Sequence, residues 1–264
     1  MSTAEILWDA AQALAPRLSA EWWARAYLER PSRHPARSWE QGFAEAASPV
    51  DAMDRFRGWA WGSITAPKVL LVHGFGGRST QMGAFGHRLA EMGLCGLAFD
   101  GPAHGMSRGR RTDPFDFTEA LLGIGREWGP FEAIIAHSFG AGCALYAVSR
   151  GLPVKRMALL AGPRSAERFI EAAPLRPSVR RWLIRRYQRR YGDAAERAVD
   201  LSSIHRPALI VHDEADPYVP FVDALSLAEA LPRSRLERLQ GVGHFAMLKK
   251  PSVVDQVARF AAGA

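Results

Sequence analysis

The segment FEAIIAHSFGAGCALYAVS, residues 131–149, decides the fold of this 264-residue chain. An apolar run, 133–135, comes just before Ser138, and a helix-like stretch, 142–149, follows it. Strand, sharp turn and helix in this order are the setting of a nucleophile elbow, where a serine hydroxyl is exposed on a strained turn. Small residues flank the serine because strand and helix pass close together. The segment therefore predicts a nucleophilic Ser138 and an oxyanion donor in the Phe139 N–H.

A second glycine-rich turn lies upstream. The apolar run 69–72 leads directly into HGFGG, residues 73–77. A buried strand ending in His-Gly-X-Gly-Gly is where a hydrolase sheet supplies its second oxyanion N–H. The Gly-Lys-Ser/Thr of a phosphate-binding loop is missing, and so is a dinucleotide spacing. We expect the Phe75 N–H to be the second donor, beside that of Phe139. The alternative is a turn that binds nothing.

Two downstream motifs supply an acid and a base. A strand-like run, 208–211, is followed by HDEADPYVP at 212–220, and GVGHF stands at 241–245. A serine hydroxyl is a weak nucleophile and needs a neighbouring base. His244 is expected to take the Ser138 proton and to return it to the leaving group, while a carboxylate fixes the imidazole tautomer.

These motifs, in the order Ser, Asp, His, resemble the α/β-hydrolase superfamily. The resemblance covers residues 55 to 262, and DGPAHG at 100–105 is similar to the family's Asp-x-x-Gly-His-Gly turn. Ala136 and Ala103 stand where the family usually has glycine. The resemblance implies an α/β-hydrolase fold, a mainly parallel twisted sheet with helices on both faces and a short helical cap.

The resemblance also selects the acid. It places the carboxylate four positions after His212, which favours Asp216 over the rivals Asp213 and Glu214. Some relatives carry the acid after the preceding strand, here 157–161, but that turn reads Gly-Pro-Arg. The expected catalytic residues are Ser138, Asp216 and His244.

Strand-like and helix-like segments alternate along the chain, which predicts a mainly parallel sheet covered on both faces. We expect an N-terminal helical arm over residues 1–54 and an α/β-hydrolase core built from 55–162 and 207–264. A helical cap insertion is expected over 163–206.

Two finer expectations concern the N-terminal region. Ser19 is expected to cap the second helix of the arm, after Pro16 ends the first. Alternating apolar and small residues place the opening strand at 56–64.

The cap insertion is strongly basic, with eleven arginines, no lysine and five acidic residues. By resemblance it shapes the substrate pocket, so Trp182, Leu183 and Tyr187 are expected to bind substrate from its apolar underside. Three interpretations of the arginines stay open. They form a solvated face, they attract anionic substrates or an acidic acyl carrier, or they contact an anionic membrane surface. Nucleic-acid binding is not expected because no recognised motif is present.

Composition and short motifs limit the classes of protein to which this chain can belong. No run approaches the roughly 18 apolar residues of a membrane span. The first residues lack a basic head followed by an apolar stretch, so a cytoplasmic location is expected. The sequence has no H-E-x-x-H or Cys/His cluster, and no metal or cofactor is expected. Cys95 and Cys143 do not suggest a disulfide framework.

The expected activity is that of a carboxylesterase acting on small-molecule acyl esters through an acyl-enzyme. Dehalogenases and epoxide hydrolases of this fold carry Asp at the position of Ser138, so the resemblance disfavours both. Aminopeptidases of this fold usually need carboxylates in the cap, whereas the cap of this chain is basic. The alternatives are an acyl thioesterase, another acyl or carbon–carbon bond hydrolase, and a non-catalytic α/β-hydrolase-like binding protein. The oligomeric state is left open.

Overall fold

The structure, a computed structural model, describes residues 2–165, 175–191 and 200–264, without the side chains of Arg190 and Tyr191. Residues 166–174 and 192–199, parts of the predicted cap insertion, lie outside the described residues. The division into arm, core and cap is therefore kept as a proposal.

An eight-stranded sheet forms the centre of the molecule, in the order β1-β2-β4-β3-β5-β6-β7-β8. Strands β3 to β8 run parallel to one another. Strand β2 pairs antiparallel with both β1 and β4. The mainly parallel sheet of the prediction is confirmed. The strands are Ser48–Ala52, Phe56–Trp61, Lys68–Val72, Cys95–Phe99, Phe131–His137, Val154–Leu160, Ala208–Asp213 and Ser234–Leu239.

Helices cover both faces of this sheet. The α-helices of the described chain are α1 Thr3–Leu14, α2 Pro16–Trp23, α3 Ser38–Glu45, α4 Gly83–Glu91, α5 Pro114–Trp128, α6 Phe139–Ser149, α7 Pro177–Tyr191, α8 Phe221–Ala230 and α9 Pro251–Ala262. Helix α2 continues as a π-helical turn, Ala24–Leu28.

The central strands are apolar on both sides, as a covered parallel sheet requires. Leu70 and Val72 of β3 belong to the core packed on α5, α6 and α8. Val69 and Leu71 belong to the opposite core, packed on α4 and α9. Because side chains alternate between faces, one short run of apolar residues supplies both cores and fixes the strand ends that carry the site.

Two sequence predictions for the N-terminal region are wrong. The sheet opens with β1 at Ser48–Ala52, before the segment 56–64 where the first strand was predicted. This edge strand is short, polar and mostly exposed, so it carries no apolar alternation. Ser19 does not cap a helix, because α2 starts at Pro16, and the Ser19 hydroxyl donates to the Ala11 carbonyl at 3.0 Å.

The arm and helix α7 pack against each other. Ala20 and Ala24 from the α2 region and Val179 and Leu183 from α7 are buried in one small cluster. Arg186 of α7 forms ion pairs with two arm acids, Glu21 at 3.1 Å and Glu29. Helix α7 is therefore held by the arm, away from the two cores of the sheet.

Candidate active site

Ser138 lies between β5 and α6, at the carboxyl edge of the sheet, where open α/β sheets bind ligands. Its backbone has φ 54° and ψ −126°, a conformation that a non-glycine residue adopts only under strain. The Ser138 N–H donates to the Leu160 carbonyl of the next strand at 2.8 Å, which holds the turn. The predicted sharp turn is thus present, with a largely buried serine at its tip.

The structure brings the three predicted catalytic side chains together. His244 Nε2 lies 3.0 Å from Ser138 Oγ, and His244 Nδ1 lies 2.7 Å from Asp216 Oδ2. All three residues are buried or nearly so. With the Nδ1 proton donated to the carboxylate, Nε2 is left to accept the serine proton, which is the tautomer that a general base needs.

Asp216 is also bound from the backbone. Its Oδ1 accepts from the N–H groups of Tyr218 at 2.8 Å and Val219 at 3.0 Å. Burial alone would raise the pKa of this carboxyl, but the bonds from His244, Val219 and Tyr218 hold the pKa below its ordinary value. The group is therefore ionised at neutral pH and can stabilise an imidazolium.

The two rival acids contact other groups. Asp213 accepts from the N–H groups of Val242 at 2.5 Å and Gly243 at 2.9 Å, so it holds the loop that carries His244. Glu214 accepts a hydrogen bond from the Gln240 side-chain amide at 3.1 Å, at an exposed position. Neither carboxylate reaches the imidazole through a hydrogen bond, and Asp216 alone of the three acids has the geometry of a triad member.

The two predicted oxyanion donors flank the serine. Phe139 is the first residue of α6, whose opening N–H groups have no partner within the helix. Across the residues that the structure describes, no group accepts a hydrogen bond from the Phe75 or Phe139 N–H. A Cβ added to Gly74 would lie 3.1 Å from Ser138 Cβ, so the loop passes directly beside the nucleophile. That these two N–H groups bind an oxyanion stays a prediction.

Two buried histidines hold the oxyanion loop in this position. His73 Nδ1 donates to the Gly74 carbonyl at 2.7 Å, and His104 Nε2 accepts from the Gly76 N–H at 3.0 Å. Burial lowers the pKa of His73, and it lowers that of His104 to about 3. Both imidazoles are neutral, so they position the loop without adding charge.

The loop at 100–105 completes this support. Asp100 accepts from the Ser79 N–H and from the Met106 N–H, each at 2.7 Å. Ala103, which stands where the resemblance expects glycine, has a left-handed φ of 64°. The position thus keeps the backbone for which glycine is usually chosen.

His137 supports the base from behind. Its Nε2 lies 2.9 Å from the His244 carbonyl, and burial lowers the pKa of His137 to about 3. A neutral ring that donates to this carbonyl fixes the backbone of His244.

Two aromatic side chains at the mouth of the site were not among the predicted residues. Tyr218 is 61% exposed and Phe245 is 43% exposed, and their rings lie 5.0 and 4.9 Å from the His244 ring. Arg37 of the arm stacks on Phe245 at 6.0 Å. Phe245 follows His244 directly and Tyr218 stands two positions after Asp216, but the sequence alone does not show that the two rings meet beside the base.

The predicted substrate-binding residues of the cap lie elsewhere than expected. Leu183 is fully buried among Ala20, Ala24 and Val179, and Trp182 and Tyr187 pack on the same cluster. The apolar face of α7 packs on the α2 region of the arm. Contact between these three side chains and a substrate stays a prediction.

The comparison with known families agrees with this geometry. A sequence profile described as the alpha/beta hydrolase family matches residues 69–259. The chain therefore belongs to the alpha/beta hydrolase family. No curated protein matches the sequence.

Solved structures show the same fold at low sequence identity. Est1E from Butyrivibrio proteoclasticus, with ferulic acid bound, is 16% identical with a TM-score of 0.66, over 83% of this chain and all of that one. An esterase from Exiguobacterium antarcticum is 16% identical with a TM-score of 0.61, over 81% of this chain and 99% of its own. A thioesterase domain from the curacin biosynthetic pathway is 15% identical with a TM-score of 0.60, over 83% and 99%.

Proposed function

We propose that this chain is a serine hydrolase that cleaves carboxylic esters through an acyl-enzyme. The observation that carries the proposal is the continuous hydrogen-bonded path from Ser138 Oγ through His244 to Asp216, at 3.0 and 2.7 Å. A hydroxyl, a base and an orienting carboxylate in this sequence are what nucleophilic acyl transfer needs.

In the first half-reaction, Ser138 Oγ attacks the ester carbonyl while His244 Nε2 takes its proton. The Phe75 and Phe139 N–H groups stabilise the oxyanion, and α6 points its positive end at the same place. The C–O bond to the leaving group breaks as His244 returns the proton to the alcohol. His244 then deprotonates a water molecule, which attacks the acyl carbonyl. The bond to Ser138 Oγ breaks as His244 returns the proton to that oxygen, and the acid is released.

The shelf of Tyr218 and Phe245 favours esters with an apolar group beside the base. These exposed rings lie within 5.0 Å of the His244 ring, so a bound acyl or alcohol group can cover them and exclude water. Among the solved structures of the same fold, one is named an esterase and another a thioesterase domain, so both leaving groups belong in the test.

The substrate test is a panel of p-nitrophenyl esters and acyl thioesters of increasing chain length. We expect ester turnover, kcat/KM that rises with the size of the apolar group, and an increased KM with similar kcat in Tyr218→Ala. Faster turnover of every thioester than of its matched ester would replace the esterase proposal by the thioesterase alternative. Turnover of neither series would favour the non-catalytic binding protein.

A further inference from the structure

Helix α1 has its polar side turned inward and its apolar side turned to water. Gln12 is buried and accepts from the Arg176 N–H at 2.8 Å, while Asp9 binds the Arg176 guanidinium. The opposite side carries Leu7, 65% exposed, and Leu14, 86% exposed. The apolar side chains of this helix therefore do not form its buried face. Exposed apolar side chains grouped on one side of a helix are a candidate interaction site.

Helix α2 carries two further exposed apolar side chains. Leu18 is 70% exposed and Trp22 is 53% exposed. The Trp22 ring packs against two other aromatic rings of the arm, with ring centroids 5.0 Å from Trp8 and 5.7 Å from Tyr27. We call the exposed side chains Ile6, Leu7, Leu14, Leu18 and Trp22 the arm face.

Arginines border the arm face. Arg17 stands between Leu14 and Leu18 in the sequence, and its guanidinium lies 5.8 Å from the centroid of the Trp182 ring. Arg185 and Arg189 of α7 approach the same ring at 5.9 and 5.6 Å. Within residues 2–165, 175–191 and 200–264, these three guanidinium groups form no ion pair.

Among the described residues, Asp9 and Glu21 do not offset this charge because each is paired with another arginine, whereas Glu5 keeps its charge at the start of α1. Asp9 pairs with Arg176, Glu21 pairs with Arg186 at 3.1 Å, and Glu5 bonds the Ser2 N–H at the start of α1. The border of the arm face is therefore positive next to an apolar surface that carries an indole ring.

We propose that the arm face docks on an anionic lipid surface. Exposed leucines and a tryptophan enter the boundary between headgroups and acyl chains, while Arg17, Arg185 and Arg189 bind the phosphates. A second copy of the chain fits less well, because an isologous contact would bring the same unpaired arginines together. No helix in the described part of the chain is long and apolar enough to span a bilayer.

The test is co-sedimentation of the full chain with vesicles of phosphatidylcholine alone or with added phosphatidylserine. We expect binding to the anionic vesicles only. Removing two arginines with Arg185→Gln and Arg189→Gln should weaken binding about 25-fold, about fivefold for each charge. The matched control is Arg233→Gln with Arg235→Gln, which removes the same charge from exposed arginines at the β8 edge and should leave binding nearly unchanged.

The apolar part has its own pair of variants. The double variant Leu14→Gln with Leu18→Gln should weaken vesicle binding by about tenfold or more. This is the loss expected when two leucines that are partly buried in the bound state become polar. The control is Val222→Gln with Leu225→Gln on α8, whose side chains are also exposed, and it should bind like the wild type. Circular dichroism and thermal melting confirm that each variant is folded.

Three outcomes would overturn the proposal. One is equal or absent binding to both kinds of vesicle. Another is an equal loss in the control pairs, which would reduce the effect to net charge or general hydrophobicity. The third is a dimer in light scattering that Leu14→Gln with Leu18→Gln dissociates, since the arm face would then be covered by a second copy.

Discussion

At the scale of single residues, Asp213, which ends β7, and Asp216, in the loop that follows, bind different partners. Asp216 contacts His244, whereas Asp213 holds the N–H groups of Val242 and Gly243. We expect Asp216→Asn to lower kcat by about 10⁴-fold, because the amide no longer fixes the imidazole tautomer. Asp213→Asn should lower kcat less than about tenfold while costing about 1–3 kcal/mol of stability. Steady-state kinetics and urea unfolding of both variants give the ranking, and the reverse order in kcat would make Asp213 the acid.

The charge of Asp213 makes stability depend on pH. Burial would raise the pKa of this carboxyl, but the N–H groups of Gly243, Ala215 and Val242 hold the pKa below its ordinary value. A depressed pKa means that the carboxylate stabilises the fold above the ordinary value of about 3.9, and that this contribution is lost as the pH falls through the lowered one. We expect the difference in unfolding free energy between wild type and Asp213→Asn to shrink from neutral pH to about pH 3. A difference that stays constant in urea titrations over this range would show that the charge contributes nothing.

At the scale of elements, close contact of α6 with the end of β3 sets the position of the nucleophile. A Cβ added to Gly140 in α6 would lie 2.2 Å from the His73 carbonyl oxygen. We expect Gly140→Ala to lower stability and to reduce kcat by on the order of 100-fold, because a small shift of the elbow misplaces Ser138. The control is Gly42→Ala in α3, where nothing lies within 4 Å, and the same exchange should stabilise by up to about 1 kcal/mol. Full activity in Gly140→Ala would show that elbow and loop do not depend on this contact.

Helix α7 and the arm form the second element-scale contact. Leu183 is fully buried against α2, so Leu183→Ala should cost about 2–5 kcal/mol in the stability of this contact. Hydrogen exchange should increase in α2 and α7 together while KM for a small ester stays nearly constant. Leu225→Ala on α8, at an exposed position, is the control and should change stability by less than about 0.5 kcal/mol. A large change in KM without faster exchange would instead place Leu183 in contact with the substrate.

At the scale of the whole molecule, the α/β core was predictable because its strands are apolar runs followed by helical patterns. The alternation of strand-like and helix-like segments predicted a mainly parallel sheet covered on both faces, and the structure has this sheet. The three catalytic candidates were also predictable, because each follows the carboxyl end of a strand in a characteristic motif. The order of motifs in the chain is enough to gather them at one edge of a parallel sheet.

Tertiary contacts explain what the sequence did not predict. The edge strand β1 is polar and exposed, so its pairing with β2 leaves no periodic signal. The outward face of α1 and the packing of Leu183 on the arm depend on which helix meets which, and helical spacing alone does not say which side is covered. The shelf of Tyr218 and Phe245 likewise depends on how two loops meet around His244.

The central claim is that Ser138 forms the acyl-enzyme, and active-site labelling tests it most directly. Wild type and Ser138→Ala are incubated with a serine-directed phosphonate, and the adduct is located by mass spectrometry of peptides. We expect one adduct on Ser138 in the wild type, none in the variant, and a loss of at least about 10³-fold in kcat with an unchanged fold. An adduct on another serine, or full ester turnover by Ser138→Ala, would contradict the account.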